Sequence, residues 1–241
     1  MEGRIALDIL SQPDDTTCGP TCLHAVYRYY GDDIPLQQVI AEAHILEGGG
    51  TLEVLLACHA LRRGYKATIY TYNLQVFDPT WFETPDIDLS AKLRQQVKVK
   101  ASKRLKVATK AYLEFLALGG ILRFHDLTTA LLRKYLKQDK PILCGLSSTY
   151  LYHCAREFGP TLDSDDIRGV ATGHFVVLCG YDLHSRHVLV ADPLKQNPSG
   201  KGQVYEVDID RLVGSILLGI LTYDANLLII EPPSRTGKEK K

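Results

Sequence analysis

The sequence predicts an α+β fold in which a helical lobe faces a mainly antiparallel sheet. Two observations carry this expectation. In the first half, Leu23, Val26, Tyr27 and Tyr30 recur at i, i+3, i+4 and i+7, behind Cys18-Gly19-Pro20 and ahead of Gly31, as on the buried face of a helix. In the second half, the apolar runs 175–179 and 187–191 flank a polar turn and read as an antiparallel hairpin. With 241 residues and 45% hydrophobic content, the chain can bury a full core.

Taken in order, the elements follow from local chemistry. Pro13 keeps the segment around Gln12 extended. Pro20 suits the first turn of a helix, because its missing N–H costs nothing there, so Cys18 stands at the positive end of that helix. Residues 35–46 and 51–63 read as short helices, the second with Leu52, Leu55, Leu56, His59 and Ala60 on one face. Residues 66–72 read as a strand closing the helical lobe. Residues 73–89 are loop-like, and Trp81 and Phe82 are expected to cover the helical lobe rather than to form a partner surface.

Residues 91–117 read as one helix, because Leu93, Val97, Ala101, Leu105, Ala108, Tyr112 and Phe115 step by three or four. Its other face carries Lys92, Arg94, Lys98, Lys100, Lys103, Arg104, Lys106 and Lys110, with no acid between residues 92 and 110. Such a face is commonly just solvated, and it can also meet an acidic partner. Asp126 is expected to cap a helix through Leu136, and 141–146 reads as a buried strand. The polar stretch 147–172 is expected to border a cleft. Residues 203–207 and 226–230 read as two more strands. The organisation expected is one domain over 1–231, with an inserted loop and basic helix at about 74–118 that serves partner choice rather than chemistry, and a disordered tail at 232–241.

Four side chains point to chemistry. A thiol becomes a nucleophile on losing its proton, and a helix N-terminus or a neighbouring imidazolium favours that loss. Cys18 has the helix. His174 opens the first hairpin strand, and Asp192 closes the second, so both lie at one edge of the sheet, where the carboxylate can fix the imidazole tautomer. Gln12 can donate from its side-chain amide to a developing oxyanion, with the Cys18 backbone N–H as a second donor. Nucleophile, base, orienting acid and oxyanion donor are the parts of a papain-like cysteine hydrolase.

The arrangement resembles the bacteriocin-processing (double-glycine leader) cysteine peptidases and their stand-alone bacterial relatives. The matching pieces are Gln12, five residues and then Cys18-Gly19-Pro20; Tyr29-Tyr30-Gly31; Gly173-His174-Phe175-Val176-Val177; and Asp192-Pro193. The resemblance covers roughly residues 5–73 and 120–231. It implies a papain-like fold, a peptide or protein substrate, and catalytic roles for Cys18 as nucleophile, His174 as base, Asp192 as orienting acid and Gln12 as oxyanion donor. The segment 74–118 lies outside the pattern.

Composition narrows the alternatives. Lys and Arg number 28, as do Asp and Glu, so no global charge favours nucleic acid or an anionic membrane. No apolar run reaches the ~18 residues of a membrane span, and the first residues lack a signal-like apolar core. The six cysteines are then expected to be reduced, in the cytoplasm. Cys18, Cys22 and His24 match no usual zinc spacing, and neither a metal nor a cofactor is expected. Cys22, one turn after Cys18, is expected to lie beneath it. His44, His59, His125, His153, His184 and His187 have no motif around them. Gly48-Gly49-Gly50 and Gly119-Gly120 read as helix-ending loops rather than self-cleavage sites. Two other functions share these residues: a non-catalytic peptide-binding or interaction module, and an acyltransferase.

Overall fold

A computed structural model describes residues 4–43, 46, 50–198, 200 and 202–233. His44, Gly48, Gly49 and the tail from residue 234 lie outside the described residues. Helix α1, Cys18–Tyr29, starts at the thiol, as its Gly-Pro signal predicts. It stops at Gly31, which takes φ 79. There the Gly31 and Asp32 N–H groups return to the carbonyls of Arg28 and Tyr27, satisfying the end of the helix. Helices α2 (Leu36–Glu42) and α3 (Glu53–Arg62) complete the lobe. Strand β1, Lys66–Thr71, leads out of it.

The expected single helix over 91–117 is two helices, α4 (Leu89–Val99) and α5 (Lys103–Ala117). Lys100 is extended, and the Ser102 hydroxyl accepts from the Leu105 N–H, starting a new helix. Leu93 and Leu105 remain buried on this account, while Ala101, placed by periodicity on the core face, is exposed at the break. The basic side chains are thus split between two helices. These helices are built into the molecule, not appended to it: Leu93, Leu105, Tyr112 and Phe115 belong to the same continuous core as Leu23, Ile69, Val176 and Leu228. Trp81 and Phe82 turn onto Phe77, which meets Tyr112 of α5 edge-on, so the aromatic loop packs inward against the core.

After β2 (Ile121–Arg123) comes α6, Thr129–Leu136. Thr128, not Asp126, caps it, through Leu131 N–H. Strand β3 (Ile142–Ser147) runs into a short helix, α7 (Ser148–Tyr152). The excursion beyond α7 holds a small ribbon, β4 (Glu157–Phe158) with β5 (Asp163–Ser164). The predicted hairpin is β6 (Gly173–Asp182) and β7 (His187–Ala191), with the Asp182 carboxylate accepting from His184 and Ser185 N–H in the turn. Strand β8 (Val204–Asp208), helix α8 (Ile209–Leu218) and strand β9 (Asn226–Glu231) follow.

The main sheet has the order β2-β1-β9-β3-β6-β7-β8 and is antiparallel except between β1 and β2. The late strand β9 therefore sits in the middle, between β1 and β3. Against this sheet α1 lies over β6, which brings the first turn of the helix to the start of the strand carrying His174. Among the described residues no helix is long and apolar enough to cross a membrane.

Candidate active site

The site begins with the close approach of α1 to β6. Gly19 makes it possible: a Cβ there would come within 2.8 Å of Thr51, 3.0 Å of Leu56 and 3.1 Å of Phe175. Cys18 stands one residue earlier, buried at 8% exposure. The first turn of α1 holds no acidic residue, so no side-chain carboxylate of that turn neutralises its positive end. One turn on, the buried Cys22 thiol donates to the Phe175 carbonyl at 3.2 Å, fastening the helix to the strand directly after His174. Cys22 thus lies beneath Cys18, as expected. Burial pushes its thiol well above the ordinary range, so it stays protonated.

His174 joins the two chemical ends of the site. Its Nε2 is 2.9 Å from Asp192 Oδ1. That leaves Nδ1 as the ring nitrogen free to turn to Cys18, whose thiol lies close enough to act on the imidazole. Burial alone would lower the imidazole pKa, but the hydrogen bond and charge of Asp192, together with the nearby Cys18 thiol, outweigh it and raise it to about 10. The ionised Asp192 beside it therefore favours the cationic form of the buried imidazole.

Asp192 is fully buried. Its Oδ1 accepts from His174 and from the Leu194 N–H at 2.8 Å. Its Oδ2 accepts from Tyr205 Oη at 2.6 Å and Tyr152 Oη at 2.7 Å. Burial raises a carboxyl pKa, yet these partners, His174 first, bring it below the ordinary value. Tyr152 and Tyr205 were not anticipated from sequence. Tyr152 sits in the stretch expected to border the cleft, and Tyr205 on a predicted strand, but no spacing links either to Asp192.

Gln12 is tied to the site through its backbone, whose N–H donates to the Pro193 carbonyl at 3.0 Å. Its side-chain Nε2 donates to the Asp14 carbonyl at 2.8 Å, while Oε1 is buried with no hydrogen-bond partner among the described residues. An amide nitrogen carries two hydrogens, so one N–H remains for another acceptor. Sequence positions 12, 18, 174 and 192 thus converge: His174 and Asp192 through a direct bond, Cys18 by its nearness to His174, and Gln12 through Pro193, next to Asp192. His59, by contrast, is in the helical lobe, between Tyr27 Oη and Glu42. Among the described residues no group of three His, Cys, Asp or Glu side chains is arranged to hold a metal ion.

A family model described as "Peptidase_C39 like family" matches residues 4–212. Among solved structures, a putative C39-like peptidase from Bacillus anthracis is similar over 97% of this chain and 100% of that one, at 13% identity and a TM-score of 0.53. A double-glycine motif protease from an AMS/PCAT transporter, in complex with its leader peptide, matches 96% of both chains at 15% identity and a TM-score of 0.46. Xylellain, a cysteine protease from Xylella fastidiosa, matches 96% of this chain and 87% of that one at 13% identity and a TM-score of 0.45. No curated protein matches the chain significantly.

Proposed function

The chain belongs to the Peptidase_C39 like family and has the mixed, mainly antiparallel fold of the papain-like peptidases; from that premise we propose that it is a thiol-dependent peptidase acting on peptide or protein substrates. The observation that carries the reading is the buried His174–Asp192 pair, with Cys18 beside the imidazole and four donors on the carboxylate. In this reading the Cys18 thiolate adds to the scissile carbonyl carbon. The second N–H of Gln12 and the backbone N–H of Cys18 receive the oxyanion. The His174 imidazolium then gives its proton to the departing amine, leaving a thioester and a neutral imidazole. Water attacks the thioester, its proton goes to His174, and Cys18 leaves as thiolate. Asp192 keeps Nε2 as the outward N–H throughout, so that Nδ1 faces the reacting atoms.

The proposal extends to partner and setting. Residues 1–231 act as one domain, and the exposed lysines of α4 and α5 steer an acidic substrate or partner. All six cysteines are unpaired, which suits a reducing cytoplasm. The test is labelling with a thiol-directed electrophile and digestion of a peptide library, each with the unmodified chain, Cys18→Ala and His174→Ala. Peptide cleavage lost in both variants supports the reading. Cleavage that survives Cys18→Ala removes the nucleophile, and the proposal with it.

A further inference from the structure

We propose that Tyr152 and Tyr205 are positioning residues that hold the Asp192 carboxylate ionised and aimed at His174. The geometry divides the carboxylate between two tasks. Oδ1 serves His174 and the Leu194 N–H, at 2.9 and 2.8 Å. Oδ2 serves the two phenols, at 2.7 Å from Tyr152 and 2.6 Å from Tyr205. Short O–H···O contacts of this kind are the strong, charge-assisted class. With both oxygens occupied, the carboxylate cannot turn about its Cβ–Cγ bond without breaking two bonds at once.

The donors arrive from separate elements. Tyr152 ends α7, and its ring centroid lies 6.1 Å from that of His174. Tyr205 is on β8, paired with Val190 two residues before Asp192. The groups facing Asp192 are therefore His174 on β6, Tyr152 on α7, Tyr205 on β8 and the Leu194 N–H, with Cys22 of α1 in electrostatic range. Burial first, and then the Asp192 charge, raises both phenol pKa values, so each tyrosine remains a neutral donor wherever the site works. Without the phenols, burial would favour the protonated acid. A protonated Asp192 no longer stabilises the imidazolium, and the imidazolium no longer stabilises the thiolate. Phenylalanine keeps the ring volume and deletes only the donor, which makes the substitution a clean probe.

This inference rests on the proposed Cys18–His174 pair, and the experiment separates the two. The rate of Cys18 alkylation by iodoacetamide would be followed by mass spectrometry across a pH series. The unmodified chain would be compared with Tyr152→Phe, Tyr205→Phe, the double variant and His174→Ala. The expected result is an acid limb displaced upward by about one pH unit or more in the double variant, and by less in each single variant. If the double variant does not fold, the two single variants decide. An acid limb unmoved in folded tyrosine variants, or a rate lowered equally at every pH, overturns the positioning role while a His174-dependent rate leaves the peptidase reading standing. A rate indifferent to His174→Ala overturns the pair itself.

Discussion

Two buried acid sites lie in this molecule, and they ionise in opposite directions. Asp192 is wholly buried and meets four donors, and its pKa falls below the ordinary value. Asp224, at 6% exposure, accepts the Glu53 N–H at 3.1 Å, and burial drives its pKa up to about 7. Its neighbour Glu53 is wholly buried, accepts one N–H from Gly145 at 3.2 Å, and leaves Oε2 without a hydrogen-bond partner among the described residues. Burial, then the Asp224 charge, raises the Glu53 pKa well above the ordinary value. Depth is the same at both sites; the supply of donors differs. A buried carboxyl is ionised where the fold aims several donors at it, and neutral where it aims few.

The comparison breaks most visibly at Asp192. Asp192→Asn keeps the shape and removes the charge that stabilises the imidazolium. Cys18 alkylation should fall by about 100-fold or more near neutral pH, read by the same mass-spectrometric assay. Asp224→Asn should do the reverse. Its amide oxygen still accepts from Glu53 N–H, but no charge has to be buried. The sign follows from the raised pKa: the native state holds a proton that the unfolded state releases, so stability falls as pH climbs from about 4 to about 7. The variant should therefore gain stability above that range, by about 2–4 kcal/mol at most, with Cys18 labelling unchanged. Denaturant unfolding at two pH values checks it, and an equal stability change at both would place the effect elsewhere.

Gly19→Ala probes the contact on which the Asp192 site depends. A new methyl at 2.8 Å from Thr51 must shift the start of α1 away from β6, at about 1–3 kcal/mol. Slower Cys18 alkylation should accompany the lower melting temperature; normal alkylation would mean that the site tolerates the shift. The smallest effect is expected on the surface. Replacing Lys98, Lys100, Lys103 and Lys106 by Gln should weaken capture of acidic peptides a few-fold at low salt and not at high salt, with alkylation unaffected. Binding insensitive to these changes would leave the basic face merely solvated.

The legible parts of the sequence were those with short-range signals. Cys-Gly-Pro, Gly31 and the polar turn of the hairpin each fix a local geometry, and two of them deliver Cys18 and His174 to their elements. Asp192 was legible because it closes a strand whose partner begins with His174. The tyrosines were not, because their link to Asp192 is made by tertiary approach: Tyr152 lies 40 residues upstream on a short helix. Glu53 and Asp224 are 171 residues apart and carry no pattern. The break between α4 and α5 is hidden because apolar periodicity runs across it, and the Ser102 cap outweighs that signal. Helix α8 and strand β2 lie outside the elements expected from the sequence. The first is nonetheless marked by Asp208, which caps it at Asp210 and Arg211, while the second is three residues long.

The central place of β9 has a consequence for the order in which the molecule is made. A chain leaving the ribosome presents β1 and β3 long before the strand that joins them. Until Asn226–Glu231 emerges, β1 lacks its six-residue antiparallel partner and β3 has an open edge. The Asp224 carboxylate that caps α3, and the Ile230 carbonyl that receives the Tyr30 hydroxyl, are absent as well. Pairing across so long a separation is slow, because the loop must close before any bond repays it. Cys18 is therefore synthesised long before the strand that completes the sheet carrying His174. A chain ending before residue 226 would hold Cys18, His174 and Asp192 in a sheet missing its central strand.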